Sequence, residues 1–228
     1  MIDIHSHLLP FIDDGSDSLE KSVYFIKKAV DEGVSKIVLT PHYNLGEYKL
    51  SKDETKNLFL TFKNQVEALG IKVELCLGQE VYCNENIYNL LKSGEVLTLN
   101  DTKCILVEFN YAQETDIVDY VYNLLSFGYV PIIAHVERYG YLTVDDIARL
   151  KELGAYIQVN ANSVIGEDGK DVQKLVLNLI KNNLVDFVAT DIHVRRNSSL
   201  KLAYNFISKK FKEEVAKNLF IENAKKLI

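Results

Sequence analysis

Residues 130–135 read VPIIAH. An unbroken apolar run closed by a histidine has no polar face to turn to solvent. It fits a strand covered on both sides, as in a parallel sheet. Six more runs share that character, at residues 2–5, 36–40, 72–77, 104–109, 155–159 and 186–190. Longer amphipathic stretches alternate with them. Leu19, Val23, Ile26 and Val30 repeat at four-three-four spacing, which lays one apolar stripe along a helix. Asp17 with Glu20 is the expected cap of that helix and Gly33 its stop. Helical patterns also cover residues 55–69, 85–92, 115–127, 144–153, 172–182, 200–210 and 213–227. Seven strand–helix alternations imply parallel strands with right-handed crossovers, in a closed barrel or an open doubly wound sheet. The barrel is favoured, because candidate ligands follow nearly every strand instead of gathering at one switch point. The expectation is a single α/β domain over residues 1–228, a TIM-like barrel of seven βα units.

Composition narrows the function. Hydrophobic residues form 47% of the chain, enough for a large core, and the net charge of −6 supplies no global field for nucleic acid or anionic membrane. No apolar run reaches the roughly 20 residues needed to span a bilayer. Cys76, Cys83 and Cys104 are odd in number and lack framework spacing, which points to free core thiols and a reducing, cytoplasmic setting. No leader pattern precedes the first strand-like run.

The five histidines carry the chemistry. His42, His135 and His193 close apolar runs, and His5 and His7 open the chain in MIDIHSH. Glu80 and Glu108 follow two more runs, Asp191 precedes His193 by two, and Asp13 and Asp14 lie in the first loop. In a parallel barrel, residues just past the strand ends meet on one face. Taken singly, most are better explained as a cap, a turn or a hydrogen-bonded core group; for Asp13 the turn is the favoured reading. Taken together they obey one placement rule. Nitrogen and oxygen donors without thiolate suit Mn, Fe or Zn, and this many carboxylates suit two or three ions. Arg138, Arg195 and Arg196 stand near the same rim, where a guanidinium could grip phosphate oxygens bidentately. Glu137 is read as a supporting or surface acid. Cysteine phosphatase chemistry is excluded by spacing, since the sixth residue after each cysteine is Tyr82, Asn89 or Asn110, not arginine. No Walker loop and no GxSxG elbow is present.

In order, MIDIHSHLLPFIDDGS, TPHYN, GQEVY, VEF, HVER and TDIH resemble the PHP (polymerase and histidinol phosphatase) superfamily. More closely, they resemble its metal-dependent bacterial protein-tyrosine phosphatases associated with capsule and exopolysaccharide synthesis. The resemblance implies a distorted (β/α)7 barrel, the PHP fold, holding three metals, usually manganese. It implies one ion on His5, His7, Glu80 and Asp191, a second on Glu80, Glu108 and His135, and a third on Asp14, His42 and His193. It implies phosphate binding by Arg138 and by a second arginine, Arg196 or Arg195, of which Arg196 is the better match. HVER replaces the usual HPER, TDIH replaces SDAH, and the stretch to the second arginine is short. The implied reaction is phosphotyrosine hydrolysis by a metal-bridging hydroxide, with the tyrosine-rich tail of a bacterial tyrosine kinase as substrate. A small-molecule phosphatase of histidinol-phosphatase type, a phosphodiesterase, and a non-catalytic phosphoprotein binder are the alternatives.

Overall fold

Alternation on one strand shows how the chain is layered. In β6 (Cys104–Glu108), Ile105 and Val107 belong to one apolar cluster, whereas Cys104 and Leu106 belong to a second. Successive side chains leave a strand on opposite faces, so the sheet is apolar on both. Glu108 continues the face of Cys104 and Leu106, and there the second cluster gives way to polar groups.

The computed structural model describes residues 1–44, 46–48, 50–194 and 198–228. Before β6 come β1 (Ile2–Asp3), α1 (Leu19–Asp31), β2 (Lys36–Leu39), β3 (His42–Tyr43), α2 (Lys52–Ala68), β4 (Glu74–Leu77), β5 (Glu80–Tyr82) and α3 (Ile87–Ser93). After it come α4 (Ile117–Ser126), β7 (Val130–Ile133), α5 (Val144–Leu153), β8 (Tyr156–Asn160), α6 (Ala161–Ile165), α7 (Lys170–Lys181), β9 (Phe187–Ala189) and α8 (Leu200–Lys210). Short helical segments over residues 213–225 finish the chain. All strand pairs are parallel, in the orders β1-β2-β4 and β3-β5-β6-β7-β8-β9.

Two runs that read as single strands break and resume. Pro41 separates β2 from β3, and Gly78 and Gln79 separate β4 from β5. Pairing carries across the break, because Gly78 N–H donates to the Leu39 carbonyl at 2.9 Å and Glu80 N–H to that of Pro41 at 3.1 Å. A Cβ on Gly78 would lie 2.5 Å from Leu99 Cδ2, so the close approach there requires glycine. The sheets curl so that the segments following β1 and β9 meet. Asp191 N–H donates to the His5 carbonyl and His7 N–H to that of Ile192, both at 3.0 Å, and Ser6 bridges Ile192 in parallel. Beneath this seam the buried Asp3 carboxylate accepts from Thr190 N–H at 3.0 Å and from its hydroxyl at 2.6 Å.

The cap of α1 is Ser18, whose hydroxyl accepts from Lys21 N–H at 3.2 Å, whereas Asp17 pairs with the Lys21 ammonium at 2.7 Å. The serine hydroxyl, one residue nearer, reaches the open N–H and leaves the aspartate to a side-chain partner. The three cysteines are buried and free. Among the described residues no helix is long and apolar enough to cross a membrane.

Candidate metal centre

The segment that follows β1 sets the site's electrostatics. His5 and His7 are fully buried, and their Nε2 atoms lie 3.1 Å apart. His5 Nδ1 faces Gln158 Oε1 at 3.1 Å and His7 Nδ1 faces Asp13 Oδ2 at 2.8 Å. Amide and carboxylate oxygens only accept, so each Nδ1 carries the hydrogen and each neutral ring turns an Nε2 lone pair inward. Both lone pairs point at Glu80 Oε2, 3.2 Å from each, and at Asp191 Oδ1, 3.5 Å from each. Acceptors facing acceptors repel unless a cation sits among them. Glu80 Oε2 is buried without a hydrogen bond, although a third imidazole nitrogen, His42 Nδ1, also lies 3.1 Å away. The donor set therefore fits divalent metal ions. Without metal, protons take that place. Burial pushes His5 and His7 down, but the Glu80 and Asp191 carboxylates around His5 and Asp13 against His7 outweigh it, and both pKa values lie above the ordinary one.

The other candidates join this nucleus. Glu80 Oε1 meets His135 Nε2 at 2.8 Å, and Glu108 reaches His42 Nδ1 at 3.2 Å and His135 Nε2 at 3.9 Å. Asp14 Oδ1 lies 3.5 Å from His42 Nε2 and 3.4 Å from His193 Nε2, and its hydrogen bond to His193 pulls its pKa down to about 2. His193 Nδ1–H donates to the Asp191 carbonyl at 3.1 Å, which frees its Nε2 for the site. Donor atoms gather within 4.8 Å in three groups: His5, His7, Glu80 and Asp191; His42, Glu80 and Glu108; and His7, Asp14, His42 and His193. The first is the set that the resemblance implies. In the second, His42 stands where His135 was implied, and in the third His7 is additional.

Two of these residues sit on strained backbone. His135 has φ +33° and Asp191 φ +50°, left-handed values that non-glycine residues rarely adopt. Gln158 Oε1 holds the first by accepting His135 N–H at 2.8 Å, and the His5 carbonyl holds the second. Arg138 Nη2 meets Asp191 Oδ2 at 2.6 Å, with its side chain 32% exposed. Glu137 is buried, not a surface acid; its Oε1 accepts from Asn160 N–H at 2.7 Å and from the Ser163 hydroxyl at 2.8 Å. Arg195 and Arg196 lie outside the described residues. A cleft of about 730 Å³ opens above, lined by His42, Glu80, Glu108, Arg138, Asp191 and His193 among others.

A sequence profile described as "Capsular polysaccharide synthesis, CpsB/CapC" matches residues 1–228. The chain belongs to the CpsB/CapC family. Tyrosine-protein phosphatase CpsB of Streptococcus agalactiae is 34% identical over 239 residues, covering 100% of this chain and 98% of the relative. Tyrosine-protein phosphatase YwqE of Bacillus subtilis is 33% identical over 233 residues, covering 100% and 91%. A crystal structure from the pair YwqE of Bacillus subtilis and CpsB of Streptococcus pneumoniae, described as unique metal-dependent tyrosine phosphatases, superposes with TM-score 0.88. It is 32% identical and covers 95% of this chain and 90% of that one.

Within this CpsB/CapC chain, sequence reasoning missed the supporting layer. Gln158 and Asn160 lie two apart on β8, the strand without a histidine or acid at its end. Gln158 Nε2 donates to Asn160 Oδ1 at 2.9 Å, and Asn160 Nδ2 to Asp191 Oδ2 at 3.0 Å. Their signal was two polar amides closing an otherwise apolar strand. Asp13 makes the expected turn by accepting Gly15 N–H at 3.0 Å, and it also orients His7 and accepts His42 N–H at 3.0 Å.

Proposed function

We propose that this chain is a metal-dependent phosphomonoesterase that removes phosphate from tyrosine in proteins. The observation that carries the reading is the convergence of acceptor atoms on Glu80 at the floor of a cleft, with Arg138 beside it. His5, His7, Glu80 and Asp191 would hold one ion; Glu80, Glu108 and His135 a second; Asp14, His42 and His193 a third. Manganese is the proposed metal, with iron or zinc as competitors of the same donor preference. The curled sheet is read as a distorted (β/α)7 barrel in which β2 with β3, and β4 with β5, each make one stave. Residues 1–228 act as one domain.

Bound divalent ions supply Lewis acidity, which acidifies water and neutralises phosphate oxygens. The chain's own groups do the rest. Gln158 and Asp13 fix the tautomers of His5 and His7. Arg138 presents a planar guanidinium to two phosphate oxygens, and Asp191 and Asn160 hold its partner side in register. Arg196 or Arg195 would supply the second grip. A phenolate leaving group, with a pKa near 10, departs with little proton assistance. The family's link to capsular polysaccharide synthesis supports the tyrosine-rich tail of a bacterial tyrosine kinase as the physiological substrate.

The test combines metal analysis of the purified protein with phosphate release from phosphotyrosine peptide, phosphoserine peptide, histidinol phosphate and a phosphodiester. Two or three bound ions and fastest release from phosphotyrosine are expected. Preferred turnover of histidinol phosphate or of the diester would overturn the substrate assignment, and full activity after exhaustive chelation would overturn the metal.

A further inference from the structure

We propose that the cleft contains an aryl subsite in which Tyr111, Tyr82 and Tyr48 pack against the ring of an aromatic phosphate monoester. The proposal rests on the phosphatase reading and adds the side chains that separate aryl from alkyl esters. All three tyrosines line the same cleft as Arg138 and Glu80. The floor is therefore charged and the rim is aromatic, which matches an amphipathic ligand with an anionic head and an apolar ring.

The backbone around each tyrosine fixes where its ring can reach. Tyr111 is 64% exposed, and its ring makes no hydrogen bond or ring contact among the described residues. Its backbone is nevertheless pinned. Asn110 Oδ1 accepts Ala112 N–H and Gln113 N–H at 2.9 Å each, the Asn110 carbonyl accepts from the Tyr141 hydroxyl at 2.9 Å, and Phe109 N–H donates to the Tyr139 hydroxyl at 3.0 Å. The backbone that carries this ring is thus fixed beside a charged floor, so meeting a ligand orders only the side chain and not the loop. Tyr82 follows Glu80 by two residues on β5 and so leaves the strand on the same face; it stands in register with Glu108. Tyr48 stacks on His42 with ring centroids 5.7 Å apart and planes at 17°, and paired backbone hydrogen bonds with Asn44 at 2.7 and 2.8 Å hold it there. An alkyl ester offers these rings no face to stack on.

Calorimetric titration of the metal-loaded protein with phenylphosphonate and with methylphosphonate isolates the ring, since the two share one anionic head. The wild-type protein should bind phenylphosphonate more tightly. Tyr111→Ala should shrink that preference about threefold to tenfold, the size of one aromatic pair. Tyr111→Phe should keep it, and so should Tyr122→Ala, a ring 63% exposed on α4 outside the cleft lining. Equal binding of the two phosphonates by the wild-type protein, or an undiminished preference in Tyr111→Ala, overturns the subsite. Failure of the phosphatase reading shows separately, as no phosphate release from any ester by the loaded wild-type protein.

Discussion

Gly15 follows the two aspartates of the first loop, and replacing it with alanine is a sharp test of how the site is held. A Cβ there would lie 2.2 Å from the His7 carbonyl oxygen, 2.4 Å from His7 Cβ and 2.9 Å from Asp13 Oδ1. Comfortable carbon–oxygen contact begins near about 3.3 Å, so the two backbones must part by roughly 1 Å. His7 is fixed by its bond to Ile192 and by its place in the core, so the loop is the part that moves. The shift takes Asp13 off His7 Nδ1 and His42 N–H, and takes Asp14 away from His42 and His193. A misplacement of about 1 Å in a catalytic constellation costs about 100-fold in rate, or roughly 2.7 kcal/mol of barrier. Overpacking adds about 1–3 kcal/mol of lost stability, a cost that this fold should survive. The assay is kcat/KM on a phosphotyrosine peptide at saturating Mn²⁺, with circular dichroism and Tm on the same sample. Gly140→Ala is the control, because its Cβ would meet nothing within 4 Å. Full activity in a folded Gly15→Ala protein would refute the claim that this loop places the ligands.

Arg138→Lys keeps the charge and loses the fork, so kcat/KM for phosphotyrosine should fall about 100-fold with metal content unchanged; an unaltered value would remove Arg138 from substrate binding. Gln158→Leu strands His5 Nδ1–H and His135 N–H without their acceptor, and Mn²⁺ affinity in a chelator competition should drop about tenfold to 100-fold, whereas Gln158→Glu should restore most of it. Single Cys→Ala changes at Cys76, Cys83 and Cys104 should leave kcat within about twofold, because burial pushes all three thiols up and away from the nucleophilic form; loss of turnover in a folded variant would reopen a thiol pathway. Asp3 is raised by burial from 3.8 to about 6, against the bonds from Thr190. A carboxyl raised on folding binds more protons in the folded state, so its contribution is full below the unfolded value and is lost as pH rises through that window. At 1.36 kcal/mol per unit, the stability of the metal-free wild type minus that of Asp3→Asn should fall by up to about 3 kcal/mol between about pH 4 and pH 7; a flat difference in urea titrations would show that Asp3 does not titrate there.

The clustering of these side chains was legible because an imidazole or carboxylate closing an apolar run has few stable fates. The rule that parallel strands deliver their ends to one rim then gathered His5, His42, Glu80, Glu108, His135 and Asp191 without coordinates. Two features were hidden. The runs ending at Thr40 and Leu77 do not stop there; pairing resumes in β3 at His42 and in β5 at Glu80, so both residues sit on strands, not in loops. The sequence does not show that pairing continues past Pro41 and Gly78, because the backbone contacts that carry it come from neighbouring strands. Gln158 and Asn160 form no motif. Their partners lie far off in sequence, His5 153 residues from Gln158 and Asp191 31 residues from Asn160, so only the curl of the sheet reveals what they hold.

That hidden layer explains why the centre can exist at all. Facing lone pairs and carboxylates inside a protein oppose folding until cations arrive, and they would swing apart if their side chains were free. Several are instead tethered from behind: the side chains of His7 by Asp13, His5 by Gln158, Asp191 by Asn160 and His193 by the Asp191 carbonyl, and the backbone N–H groups of His135 and Asp191 by Gln158 and the His5 carbonyl. Apart from Asp13, which the first loop supplies, the tethers belong to strand ends whose ladders are already paired and packed on both faces. Apolar burial on β6 to β9 therefore holds the repulsive geometry at Glu80 in place, and the left-handed backbone at His135 and Asp191 is where that opposition shows. Loosening one tether should weaken metal binding before it weakens the fold, and this order separates a preorganised centre from a cluster that metal alone assembles.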